Sequence, residues 1–375
     1  MKKISRKARE RDVLQAIRNR RKSVRYKRSG GRSNDNLRNA NNWILEHELE
    51  GVNVIFSGRK VTLVLPEEMN FSEEYELTTK NIIAIRKLTK RSLRLTKKFY
   101  LTSVRFDNLK SISTPAALVL TAELSRWDDI INQNLRPQLQ TWSPIIINRF
   151  AELGFFELFK KAPKIESEEH TDGLKLVKYI KGKCGDKNKT KELKKSLQKL
   201  IGEKVPKWPF MHSGLSEAIT NVSHHAYPAN IGVNRNDKNW YLTGSLNKDL
   251  NILKIAFYDQ GIGIPKSLPT SKIWEKILKL ISSISQDERK LHTTLLKAAV
   301  EIDRTSTEVN DRGKGLQDLL EFIKQRGDGY LSILSLKGLY KYSIINGEEK
   351  VKTFPFGTEL PGTLIIWSVK LQSNQ

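Results

Sequence analysis

Between residues 36 and 163 the hydrophobic positions alternate between strand-like and helix-like patterns. "VNVIFS" and "KVTLVLP" predict short strands joined through "GR" as a hairpin. "YLTSVRFDNL" predicts another strand, which runs into "KSISTPAALVLTAELSRW". There Ser113 or Thr114 caps a helix that has Pro115 at its first position, and Ala117, Leu118, Leu120 and Leu124 form one apolar stripe. "SPIIINRFAELGFFELF" repeats the device, with Ser143 as cap, Pro144 in the first turn and Gly154 near the end. Alternation of this kind predicts a small α/β domain.

Residues 164–200 are rich in charge with short apolar groups, which predicts a final strand around "LKLVKYI", a loop and a connecting helix. A second domain then spans 201–375. Within it, the stretch 266–312 predicts two inserted helices, one with Ile273, Ile277 and Leu280 on a face, the other with Leu291, Leu295 and Ala299. Residues 1–35 stand apart as an N-terminal arm, in which Val13, Leu14 and Ile17 have helical spacing until "SGGRS" breaks it.

Charge adds a partner class. The chain of 375 residues carries 66 Lys and Arg against 41 Asp and Glu, a net +25, which suits nucleic acid, a nucleotide or an anionic protein. Residues 1–32 hold fourteen of the basic residues and two acids, so the arm is either a polyanion-binding segment or a solvated tail. Its only aromatic residue is Tyr26, which gives base stacking no support there. The single cysteine, Cys184, excludes an internal disulfide and a cysteine-based zinc site. No apolar run reaches the ~18–20 residues of a membrane span, and "MKKISRKARERDV" lacks the apolar core of a secretory signal. The expectation is a cytoplasmic chain with no membrane partner.

Four segments of the second domain carry chemistry. In "SEAITNVSHHAY" Glu217 and Asn221 are four residues apart, on one helical face, and His224, His225 and Tyr227 follow. The apolar strand "ILKIAFY" delivers Asp259, followed by Gly261, Gly263 and Pro265. A carboxylate at a strand end can accept from the exocyclic amine of adenine, and glycines two apart let backbone approach a base or phosphate; Asp-x-Gly is also ordinary turn chemistry. Gly313, Lys314 and Gly315 precede the helix "LQDLLEFI", where backbone N–H groups and a lysine suit a polyphosphate. The last strand, "PGTLIIWSVKL", opens with Gly362 and Thr363, whose hydroxyl suits an adenine contact or is simply a β-branched strand residue.

In this order the four segments resemble the GHKL ATPase superfamily of gyrase-type ATPases, large heat-shock chaperones, histidine kinases and anti-sigma-factor serine kinases, over about residues 200–371. "SEAITNVSHHAY" is similar to the helix motif of the anti-sigma kinases, S-E-A-x-T-N-x-x-x-H-A-Y. The resemblance implies an α/β sandwich with helices on one face of a mixed sheet. It implies ATP and Mg²⁺ as ligands, with Asn221 holding the metal and Glu217 as general base. Asp259 and Thr363 would bind adenine, Gly261 and Gly263 would shape its pocket, and Gly313, Lys314 and Gly315 would form the lid. His225 matches the family's histidine and is read as a structural residue at the helix end. The insertion is longer than the anti-sigma kinase lid; it is either a moving element or an added packing layer, with Lys290 and Arg304 as candidate phosphate contacts. Neither His170 in "EEHTDG" nor His212 in "PFMHSG" has the context of a histidine-kinase phospho-acceptor.

The first domain resembles the STAS fold of anti-sigma-factor antagonists, on "VRFDNLKSISTPAALVLTAEL". Aligned on Asp107, the phospho-acceptor position falls at Thr114, which is either that acceptor or a plain helix cap. The expected function is Mg²⁺-dependent ATP hydrolysis driving a switch between the domains or between two subunits. Three alternatives stand beside it: a protein Ser/Thr kinase, a nucleic-acid-associated ATP switch acting through the arm, and a non-catalytic ATP-sensing scaffold for a protein partner.

Overall fold

The structure, a computed structural model, describes residues 32–89, 99–165, 173–183, 186, 188–202, 207–228, 238–270, 274–281, 288–302 and 315–371. The N-terminal part begins with helix α1 (Arg32–Glu46), so the remainder of the arm lies outside the described residues. The predicted hairpin is formed by β1 (Asn53–Ser57) and β2 (Lys60–Val64), with Ser57 opposite Lys60 and Gly58–Arg59 as the turn. After the short strand β3 (Glu68–Met69), helix α2 (Tyr75–Leu88) carries the chain over to β4 (Tyr100–Arg105), which pairs parallel with β2. Strand β5 (Ser111–Ile112) then leads into α3 (Thr114–Ile130). Its cap is Ser113, whose hydroxyl accepts from the Ala116 N–H, and Pro115 occupies the first turn as its fixed φ favours. Helix α4 (Pro144–Glu152) completes this part.

Next come β6 (Leu174–Lys183), α5 (Lys189–Ile201), α6 (Trp208–Asn221), β7 (Asn239–Asn247) and β8 (Ile252–Asp259). They are followed by α7 (Ile264–Ser267), α8 (Trp274–Ile281), α9 (Glu288–Ile302) and α10 (Gly315–Arg326), and then by the long strands β9 (Gly329–Ile345) and β10 (Glu348–Lys370). A five-stranded sheet in the order β6-β7-β8-β10-β9 results. The α/β class expected from the sequence is present. The sheet expected to be mixed instead pairs antiparallel at every junction; β7–β8 and β9–β10 are joined by short turns, while helices intervene between β6 and β7 and between β8 and β9. The segment "LKLVKYI", expected as a strand in the connecting segment before the second domain, is the edge strand β6 of this sheet, paired with β7.

Helices were expected on one face only, yet both faces are covered. Alternation in β8 sends Leu253, Ile255 and Phe257 into a core with Met211, Leu215 and Ile219 of α6 and Leu319, Leu320 and Phe322 of α10. The intervening Ala256 and Tyr258 face the other way, into a core shared with α2 and α3. Tyr241 of β7 and Leu364 and Ile366 of β10 join them there. The sheet is therefore the middle layer of three, which explains why its strands read as nearly continuous apolar runs.

A polar cluster fastens the N-terminal layer to the sheet. Glu123, in the middle of α3, has no exposed surface. Half-buried Arg86 of α2 donates to both its oxygens, with the Nε contact at 3.0 Å, and Arg126 stands 3.5 Å away. From the sheet, Gln260 donates to Glu123 at 2.8 Å and to the Ala122 carbonyl at 3.1 Å, while the Tyr258 hydroxyl lies 3.3 Å from the same carboxylate. Burial pushes the Glu123 carboxyl up, but Arg86 and then Arg126 reverse this and hold it below its ordinary value. Lys181 on β6 adds contacts to Ser125 and Asp129 of α3, each 3.0 Å. Replacing one partner leaves a buried charge uncompensated. Glu123→Ala is expected to lower stability by about 3–5 kcal/mol in urea denaturation; a loss below about 1 kcal/mol would show that the cluster does not hold the layers together.

Candidate functional site

Helix α6 ends at Asn221 and its backbone widens into one π turn, Val222–Ala226, a local irregularity frequent at functional sites. Glu217 and Asn221 lie on the final α turn, both half-buried, and their spacing sets them one above the other. The apolar neighbours Ala218, Ile219 and Val222 anchor this stretch in the core, which leaves the polar stripe on the opposite side of the helix. The π turn docks directly on the loop after β8: the Ile262 N–H donates to the Ala226 carbonyl at 2.9 Å. Tyr227 closes the junction by donating from its hydroxyl to the Asn239 carbonyl at 2.8 Å and accepting from the Gln260 N–H at 3.2 Å. Asn221, one turn back from Ala226, is thus brought to the same end of the sheet as Asp259.

Asp259 is the last residue of β8 and is 5% exposed. Its Oδ1 accepts from the Gly261 N–H at 2.8 Å, and the Thr363 hydroxyl supplies a second hydrogen bond from the facing position on β10. Burial pushes its carboxyl up to about 6; the Gly261 N–H, the Thr363 hydroxyl and the Arg86 charge pull against that without cancelling it. Thr363 also lies 3.2 Å from the Ser335 hydroxyl, which accepts from the Ile264 N–H at 2.9 Å. A chain of hydroxyls therefore runs beneath the loop from Ile264 to Asp259.

The glycines have a packing reason. A Cβ on Gly261 would stand 2.5 Å from the Ala226 Cβ, and one on Gly362 would collide with the Asp259 carbonyl oxygen. Gly263 has φ +86°, a left-handed value that a side chain disfavours. The loop can hug both the π turn and β10 only with glycine at these three positions.

Two adjacent residues serve opposite faces of the sheet. Asp259 shares the α6 face, while Gln260 points into the Arg86–Glu123 cluster. Position 260 was an unspecified residue between motif positions in the sequence, and Ser335 had no motif to mark it; both became visible only through strand register. His225 is half-buried on the π turn, and burial, then its neighbour His224, lowers its pKa, so it is neutral near pH 7.

Gly315 is the first residue of α10, which packs along α6 and accepts a hydrogen bond at the Leu319 carbonyl from the Trp367 indole at 3.0 Å. Gly313, Lys314 and Arg304 lie outside the described residues, as do His170 and Cys184. The side chain of Lys290 is likewise not described. Of the inserted helices, α9 buries Leu295, Leu296 and Ala299 in one core with Tyr340 and Tyr342 of β9. In the N-terminal part, Asp107 is held by Arg105 and Thr141, and Thr114 is half-buried in the first turn of α3, where Ser113 already supplies the cap. No group of His, Cys, Asp or Glu side chains that could hold a metal ion occurs among the described residues. No described helix is long and apolar enough to cross a membrane. The chain matches no protein-family model and no curated protein.

Because the folded-state pKa of Asp259 is raised, the native protein holds a proton that the unfolded chain releases first. Stability therefore falls as pH rises from about 4 to about 6 and stays lower above that window. Asp259→Asn keeps an acceptor for Gly261 and removes the buried charge, so the variant is expected to be more stable than the native chain at pH 7, by roughly 3 kcal/mol, and close to it near pH 4. Denaturation at both pH values checks this; equal stability at pH 7 would mean that the carboxylate is not strained by burial.

Proposed function

We propose that the chain binds ATP with Mg²⁺ at the junction of α6 and the β8 loop, and hydrolyses it as GHKL ATPases do. The observation that carries this reading is Asp259, a buried carboxylate kept at a strand end where an amide would be less costly. A buried carboxylate whose pKa is raised by desolvation supports a role in recognition. Ionised, it accepts from an exocyclic amine, and Thr363 beside it adds a hydroxyl.

The oxygen donors on α6 fit the other half of the ligand. The Asn221 carbonyl is a hard ligand of the kind Mg²⁺ takes alongside phosphate oxygens and waters, so a cluster of protein carboxylates is not needed. Bound Mg²⁺ would supply charge neutralisation at the phosphates. Glu217, a turn away on the same face, would take the proton of the attacking water. The link from Gln260 through Glu123 into α3 supports a switch in which occupancy at Asp259 is felt by the N-terminal layer, whose Asp107–Thr114 segment has the STAS-like outline.

Phosphate release with Mg²⁺ tests the reading. Glu217→Ala is expected to lose turnover by about 10²–10⁴-fold with ATP binding retained, and Asn221→Ala to lose Mg²⁺-dependent binding. Turnover unchanged in both variants would overturn it.

A further inference from the structure

The outer ribbon of β9 and β10 has no part in that site. Beyond the sheet, residues 348–355 of β10 are all exposed and pair only with β9, since β8 pairs with 363–370. The ribbon bends at Leu336, which has φ +54°, and Tyr75 of α2 fixes the bend by donating to the Leu336 and Thr358 carbonyls at 3.3 and 3.1 Å.

Strand alternation puts Lys350, Lys352 and Phe354 on one face, where their cross-strand neighbours are Ser343, Lys341 and Leu339. Lys341 is half-buried, with its ammonium 4.1 Å from the centre of the Tyr330 ring. Lys254, Ser368 and Tyr330 stand opposite one another across β8, β10 and β9, so Lys254 shares the face that Lys341 covers. Burial, then the charges of Lys352 and Lys254, lowers the Lys341 pKa, consistent with the register that places Lys352 directly opposite Lys341. None of the three has an ion-pair partner among the described residues.

Like charges placed opposite each other in a sheet are destabilising. Protection of an open edge accounts for Lys350, Lys352 and Pro355. The same protection serves Lys341, since β9 is the edge strand of the sheet, but not Lys254 on β8, which is paired on both sides. An anionic partner accounts for Lys254 as well.

The aromatic residues narrow the partner. Phe354 is 55% exposed and meets Phe356 at 5.1 Å between ring centres; Phe356 in turn stacks on Tyr75 at 3.4 Å. An open ring on a rigid support beside a row of lysines is the combination by which single strands are bound, with phosphates on the cations and a base on the ring.

We propose that this ribbon binds single-stranded nucleic acid, with phosphates on Lys254, Lys341 and Lys352 and a base on Phe354. This does not rest on the ATP reading. The test is fluorescence anisotropy of a labelled single-stranded oligonucleotide with the full chain over a series of salt concentrations. Lys352→Gln and Lys254→Gln are each expected to reduce the salt slope by about 0.7. Phe354→Ala is expected to weaken binding by about 5- to 100-fold with the slope unchanged. All three side chains are exposed, and an unchanged thermal transition confirms that the fold is kept. Affinity and slope equal to the native chain in all three variants would assign binding to another surface, such as the basic arm, and overturn the proposal. So would an absence of oligonucleotide binding, or binding of duplex that is as tight and independent of Phe354.

Discussion

The buried carboxylate of Glu123 sets the condition on which the three layers depend. A charge in the middle of α3 is tolerable only because Arg86 comes from α2, Arg126 from the next turn, and Gln260 and Tyr258 from the sheet. The cluster thus requires two helices and a strand end to be in register at once. Apolar packing of α3 on β7 and β8 would tolerate small slips, whereas these hydrogen bonds do not.

That requirement reaches the candidate site through one peptide bond. Asp259 and Gln260 follow each other at the end of β8, so the pleat that turns one toward α6 turns the other toward Glu123. Asp259 and the Glu123 cluster are thus joined through the backbone of two consecutive residues. The opposite side of the loop is just as constrained, because the Ala226 carbonyl, the Tyr227 hydroxyl and the Ser335–Thr363 pair each hold one of its backbone or side-chain groups.

Much of this was legible in the sequence where local chemistry decides structure. The "GR" hairpin, a cap at Ser113 or Thr114 before Pro115, and the strand ending at Asp259 all follow from short-range rules, and the structure has them with Ser113 as the cap. That "LKLVKYI", read as a strand in the connecting segment, pairs with β7 was not legible, because a strand's pattern shows which residues are apolar, not which sheet it will join. Helices on the second face were missed for a related reason: Ala256 and Tyr258 look like ordinary members of an apolar run, and only the fold shows that α2 and α3 cover them. Gln260, Ser335 and the lysines around Tyr330 act through cross-strand neighbours far away in sequence, beyond what a motif records.

The central claim is that Asp259 reads an adenine amine, and equilibrium binding of ATP and GTP to the native chain by titration calorimetry with Mg²⁺ tests it most directly. Guanine presents a carbonyl where adenine presents its amine, so a carboxylate at that position rejects it. ATP is expected to bind at least about tenfold more tightly than GTP, the worth of one hydrogen bond to a charged group. Equal affinity for the two, or no binding of either, would contradict the account.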